Sequence, residues 1–328
     1  MSDYPYIMGL FRSLEGKLLN AGDIERMIDA PDIEAAFRVF NDTEYADNLL
    51  EVEPKNFKKA LNDDLKQTRD LYEKFVDDQK IRQFLFLRYD FHNLKLIFKE
   101  KYSKKDLKEE ESQVGTITYS SLRNYIMEDA RVDLSPKLKK IIDQAAQEFE
   151  NNHQPHYIDI YLDKKMYKLL AEITDKIKNK FISDFLKMKI DMINIKVFLR
   201  SKNLKKEIKW LSNQIIPGGR IAKKEFENVY DKNIKEALDT FLIYFNNKFI
   251  SIISDFEEDH NLWKLEQEFE NYEMDYLKKT KRMSFGPEMT IAYYFAKKNA
   301  LRNVRLIMTG KLNKVKNSEI RERTRNLW

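Results

Sequence analysis

Residues 88–97 read Arg88-Tyr89-Asp90-Phe91-His92-Asn93-Leu94-Lys95-Leu96-Ile97, and nearly the same string returns twice. The second copy is Lys189-Ile190-Asp191-Met192-Ile193-Asn194-Ile195-Lys196-Val197-Phe198, and the third is Lys298-Asn299-Ala300-Leu301-Arg302-Asn303-Val304-Arg305-Leu306-Ile307. Their shared core is Asn, aliphatic, base, aliphatic, then Ile or Phe, with a further base upstream. Asn93, Asn194 and Asn303 stand 101 and then 109 positions apart. Repeats of that length far exceed solenoid units, so the spacing predicts three similar helical lobes about a pseudo-threefold axis. An asparagine inside a packed helix is costly unless it is hydrogen-bonded, so each is expected to tie its helix to neighbouring backbone.

The copies lie in helical patterns. Phe84, Leu87, Phe91, Leu94 and Phe98 recur at steps of three and four, the spacing of one helix face. Phe181, Phe185, Met188, Met192, Ile195 and Leu199 do the same, and Ile182, Leu186, Ile190, Ile193 and Val197 fill an adjoining face. A helix apolar on two faces is predicted to be central. The third copy is the least faithful: Lys297 stands where Leu87 and Met188 stand, and Ala300 replaces the acid.

A second echo follows the first. Gly115-Thr116-Ile117 with Leu122 returns as Gly219-Arg220-Ile221 with Phe226, and no clear third copy follows Asn303. Two loop candidates, Ser103 to Ser112 and Pro217-Gly218-Gly219, divide the chain into repeats at 1–113, 114–215 and 216–328. Pro31 and Pro54 fit first helical turns, and Ser135-Pro136 has the cap-then-proline order of a helix start.

Composition agrees with an all-α chain. Only 8 glycines and 7 prolines occur in 328 residues, too few for the turns of most all-β folds. Charged residues at 34% beside 41 aromatics exclude both a disordered chain and a membrane-spanning one. With no cysteine there is no disulfide, thiolate ligand or cysteine nucleophile. The first residues lack a basic segment followed by an apolar run, so no secretory signal is expected. The most apolar stretch, Thr240 to Ser254, is broken by Asn246, Asn247 and Lys248 and is too short for a bilayer.

Net charge is +5, unevenly placed. Residues 1–80 carry 18 acids and 11 bases, 176–224 carry 14 bases and 3 acids, 255–275 carry 9 acids and 1 base, and 278–328 carry 14 bases and 3 acids. Such bands would steer acidic and basic partners onto different faces, but long charged side chains on solvated helix faces are the plainer explanation, and the bands alone name no partner.

Catalytic material is sparse. His153 and His156 lack a third ligand, His92 is matched by Ile193 and Arg302 in the other copies, and His260 reads as part of a helix start. No glycine-rich phosphate loop occurs. Neither catalytic, cofactor-binding nor metal residues are expected. The alternative on residues alone is a helical scaffold or a nucleic-acid-binding protein, since the basic segments contain Trp210, Tyr293, Tyr294 and Trp328. The acidic first third argues against nucleic acid.

The string Leu87 to Lys95 resembles the C-type stalk family of A/V-type rotary ATPases, equivalent to the d component of vacuolar enzymes. Arg12-Ser13-Leu14-Glu15 with Leu18-Leu19, Asp42-Thr43-Glu44-Tyr45, Asp191 to Lys196, Gly218-Gly219-Arg220, and Ala292-Tyr293 to Asn303-Val304-Arg305 with Gly310-Lys311 follow in family order. The resemblance covers essentially the whole chain. It implies a funnel-shaped socket of three lobes, without a catalytic site, that receives the D and F shaft subunits and sits on the cytoplasmic face of the membrane proteolipid ring. It also implies torque transfer for proton or sodium transport. The bases Lys202, Lys205, Lys206, Lys209, Arg220, Lys223 and Lys224 are the candidate partner contacts, chosen for their density after the second core helix and at the glycine loop.

Overall fold

The computed structural model describes residues 4–43, 52–103, 107–246, 249, 262–283 and 285–328. Glu44 and Tyr45, residues 104–106 of the first loop, most of 247–254, and His260 with Asp259 and Asn261 lie outside them. Among the described residues the regular structure is helical throughout, with no strand. In chain order the helices are α1 (Tyr4–Glu15), α2 (Ala21–Asp29), α3 (Ile33–Asn41), α4 (Phe57–Phe75), α5 (Gln79–Ser103), α6 (Tyr119–Glu128), α7 (Pro136–Asn152), α8 (Pro155–Ile177) and α9 (Lys180–Asn203). They continue as α10 (Ile208–Gln214), α11 (Lys223–Asn228), α12 (Ile234–Leu242), α13 (Trp263–Lys278), α14 (Glu288–Leu312) and α15 (Asn317–Glu322). No described helix is long and apolar enough to cross a membrane.

Local chemistry accounts for many starts. The Ser135 hydroxyl accepts from the Leu138 N–H at 3.3 Å with Pro136 at the first position of α7. Asn20 and Asp23 form a reciprocal capping box on α2, with bonds of 3.1 and 3.0 Å. Thr118 caps α6 and Asp32 caps α3. Pro54 opens the short 3-10 turn ahead of α4, whereas Pro31 lies one residue before the Asp32 cap, outside the first turn.

The chain forms two compact units. One comprises Met1–Ile81 with Ser254–Trp328, so it holds both ends of the chain; the other is Arg82–Ile253. In the first, a core joins Met27, Ile28, Phe37, Phe40, Val304 and Ile307. Beside it Phe11 packs on Tyr72 and Tyr293, at ring separations of 5.0 and 5.3 Å. In the second unit α9 has both predicted apolar faces engaged: Phe185, Met188, Met192 and Ile195 are buried, and so are Ile182, Leu186 and Ile190. Phe198 at its far end meets Phe241 at 5.2 Å and Tyr230 at 5.9 Å.

Leu94 is wholly buried on α5. Leu94→Ala therefore removes transfer energy and leaves a cavity, an expected loss of about 2–5 kcal/mol measured by denaturant unfolding.

Candidate functional site

The three asparagines are all fully buried and all make the same pair of bonds. Asn93 donates through Nδ2 to the Ser112 carbonyl at 2.9 Å and accepts at Oδ1 from the Ser112 N–H at 2.8 Å. Asn194 does this with Ile216, at 2.8 and 2.9 Å. Asn303 does it with Arg325, at 2.9 Å in both directions. The carboxamide imitates a peptide unit and closes a two-bond ring on one residue of the segment that follows the helix. Burial is tolerated here because donor and acceptor are both satisfied.

Three residues before the asparagine, the first two copies add a carboxylate latch. Asp90 accepts from the Ile117 N–H at 3.0 Å and the Thr116 hydroxyl at 2.5 Å. Asp191 accepts from the Ile221 N–H at 3.0 Å and Arg220 Nε at 2.7 Å. Both acids are buried, and burial holds the Asp191 carboxyl above its usual range although the Ile221 N–H and Arg220 pull it down. The glycines of the second echo are explained by this approach. A Cβ on Gly115 would lie 2.4 Å from Asp90 Oδ1, and one on Gly219 would lie 2.2 Å from Asp191 Oδ1.

The third copy lacks both halves. Ala300 has no carboxylate, and where Gly115 and Gly219 follow Ser112 and Ile216 by three places, Arg325 is followed by Trp328. Instead Lys297, one turn before Ala300, reaches Asp64 of α4 at 3.0 Å in a buried ion pair. Burial lowers the Lys297 ammonium pKa, against the pull of Asp64.

A lysine stands eight residues after every asparagine, a regularity that lies just outside the repeated string. Lys101 donates to the Ile126 carbonyl at 3.0 Å. Lys202 donates to the Tyr230 and Lys232 carbonyls at 2.6 and 2.9 Å. Lys311 donates to Ile28 O at 2.6 Å, to Ala30 O, and to Asn317 Oδ1 at 2.7 Å. Each ammonium thus sits at the C-terminal end of a short helix or just beyond it, α6, α11 or α2, where carbonyls lack helical partners. The short helices match as well. Their caps are Thr118, Ala222 and Asn20, each preceded by an aliphatic residue and followed four places on by Leu122, Phe226 or Ile24. The missing third copy of the second echo is therefore Leu19 with Ile24, at the beginning of the chain. Lys311→Met keeps the apolar stem and removes every donation; about 2–4 kcal/mol of stability should be lost in urea unfolding.

Among the candidate contact bases, two are engaged internally. Lys202 braces α9 as described and lies over the Tyr230 ring at 5.2 Å. Arg220 holds Asp191, donates to the Tyr244 carbonyl at 2.9 Å and covers the Phe245 ring at 4.7 Å. Lys205, Lys206, Lys209, Lys223 and Lys224 are exposed, with Lys223 3.6 Å from Glu227.

The motif residues near the chain ends are also internal. Arg12 donates to the Thr280 and Met283 carbonyls at 2.9 and 3.2 Å, and Gly310 lies under Ile320. Tyr293 and Tyr294 are buried and so present no face for base stacking. Of the histidines, His92 faces the Glu110 carbonyl at 3.2 Å and His153 ends α7 in the left-handed region. Among the described residues no His, Asp and Glu cluster could hold a metal ion.

A family model described as ATP synthase (C/AC39) subunit matches residues 7–323. The chain is 21% identical over 326 residues to the C subunit of the V-type sodium ATPase of Enterococcus hirae, covering 99% of each. It is 21% identical to the C subunit of the A-type ATP synthase of Methanocaldococcus jannaschii, over 98% of this chain and 86% of that one. With the corresponding A-type ATP synthase protein of Methanosphaera stadtmanae the identity is 22%, over 98% and 88%.

Proposed function

The chain belongs to the ATP synthase (C/AC39) subunit family, and from that premise we propose that it is a non-catalytic central-stalk component of a V-type ATPase or ATP synthase. It links the D and F shaft to the proteolipid ring on the cytoplasmic side of the membrane and passes torque between them for proton or sodium transport. The repeats 1–113, 114–215 and 216–328 are three similar lobes about a pseudo-threefold axis, forming the socket.

The observation that carries this reading is the asparagine ring made identically at Ser112, Ile216 and Arg325. A coupling must resist twisting, and here the buried asparagine of each copy is committed to neighbouring backbone between close-packed elements that transmit strain. A cyclic order is supported by Lys311, which takes its short helix from the start of the chain as Lys101 and Lys202 take theirs from the segment ahead. Lys205, Lys206, Lys209, Lys223 and Lys224 supply the exposed charge for docking.

The test is co-expression with shaft and ring subunits. The tagged chain should retain both through purification, and its omission should leave them separate. The variant K223E/K224E should weaken capture at ~0.15 M salt by about tenfold with an unchanged thermal midpoint, since exposed bases act on association more than on folding. Undiminished capture would remove these two from the contact surface.

A further inference from the structure

At the end of α9 seven consecutive residues, 203–209, are all exposed. Within them Leu204 is 54% and Ile208 42% exposed, flanked by Lys205, Lys206 and Lys209. The turn is firmly built: Lys205 is left-handed at φ 48°, and the Lys206 N–H returns to the Ser201 carbonyl at 2.9 Å. The same termination recurs 109 residues later in the other unit. Lys314 is left-handed at φ 56°, and the Val315 N–H returns to the Gly310 carbonyl at 2.9 Å. There Leu312 and Val315 are 44% and 37% exposed beside Lys314 and Lys316. Nothing in either turn requires a large aliphatic side chain in water. Polar residues would serve the backbone equally well.

We propose that the tip at 204–209 docks on an anionic phospholipid surface, its two aliphatic side chains entering the headgroup boundary while Lys205, Lys206 and Lys209 meet lipid phosphates. The proposal rests on the stalk reading, which brings the chain to the membrane, and it names the partner of this part of the basic surface. Aliphatic residues set among lysines suit an interface that is anionic outside and apolar just beneath, a combination that an acidic protein loop does not offer. Among the described residues no ion pair holds these three ammonium groups, so their charge is available to phosphate. Glu207 is the one acid in the segment and leaves it net basic.

The experiment is co-sedimentation of the full chain with vesicles of phosphatidylcholine alone or with added phosphatidylglycerol, at ~0.1 M salt, where screening acts beyond about 10 Å. Binding is expected to the anionic vesicles only. K205E/K206E/K209E should reduce partition at least tenfold, and L204S/I208S severalfold, with thermal midpoints unchanged. The control K140E/K176E/K187E, which removes equal charge from exposed sites elsewhere, should bind as the parent does. Absent binding, or equal loss in the control, overturns the proposal. So does a tip variant that keeps its vesicle binding but loses capture of shaft and ring subunits in detergent, because the tip then serves a protein. The stalk reading fails separately, when the unmodified chain captures neither shaft nor ring whatever its behaviour with vesicles.

Discussion

Replacing Asn194 by Leu should lower stability by about 3–5 kcal/mol, because a side chain of similar size removes both bonds and leaves the buried Ile216 N–H and C=O without partners. At roughly 2–4 °C per kcal/mol for units of this size, the melting midpoint should fall by about 10 °C. The same exchange at Asn93 or Asn303 should cost a comparable amount, since the bonds match to within ~0.1 Å. Asn194→Asp separates donor from acceptor. The carboxylate keeps the Ile216 N–H but faces the Ile216 carbonyl, which lifts its folded-state pKa above the unfolded value. A raised carboxyl pKa favours folding as pH falls, so the deficit of this variant should shrink on going from neutral pH to about pH 5. A loss below about 1 kcal/mol for Asn194→Leu would mean that the ring does not hold the following segment to the helix.

The second large effect is expected at Gly219. Gly219→Ala places a methyl group 2.2 Å from Asp191 Oδ1 and 3.2 Å from its Cγ, against a carboxylate already fixed by Arg220 and the Ile221 N–H. Overpacking of this kind costs about 1–3 kcal/mol, with more lost if the buried ion pair parts. Gly9, with open space around its Cβ position, is the comparison that should tolerate Ala. The third copy suggests the rescue, for it carries Ala300 at the acid position and no glycine opposite. Adding Asp191→Ala to Gly219→Ala should therefore cost less than the sum of the two single changes, by at least ~1 kcal/mol in a double-mutant cycle. Strict additivity would show that the glycine is not there for the carboxylate.

These effects mark how far the sequence could be read. Helix throughout was legible because steps of three and four are visible in Phe84 to Phe98 and in Phe181 to Leu199. The asparagine spacing was legible too, but its bonding partners were not. Ser112, Ile216 and Arg325 share no side-chain chemistry, since only their backbone is used. Lys202 and Arg220 stand out as surface contacts on charge density, which carries no information on the carbonyls and carboxylate that engage them. The repeated lysine was within reach, eight places after every asparagine, though its targets lie 25 and 28 residues ahead in the first two copies and nearly the whole chain behind in the third. For the same reason Leu19 and Ile24 could not be recognised downstream of Asn303. The Lys297 anomaly became intelligible only with Asp64 beside it, a partner that no local pattern indicates.

The most direct test of the coupling role is ion transport by the membrane-embedded complex assembled with and without this chain, at matched ATP hydrolysis. The catalytic head should still consume ATP while transport per ATP falls to background, and adding the chain back should restore it. Transport still stoichiometric with hydrolysis in its absence would contradict that role.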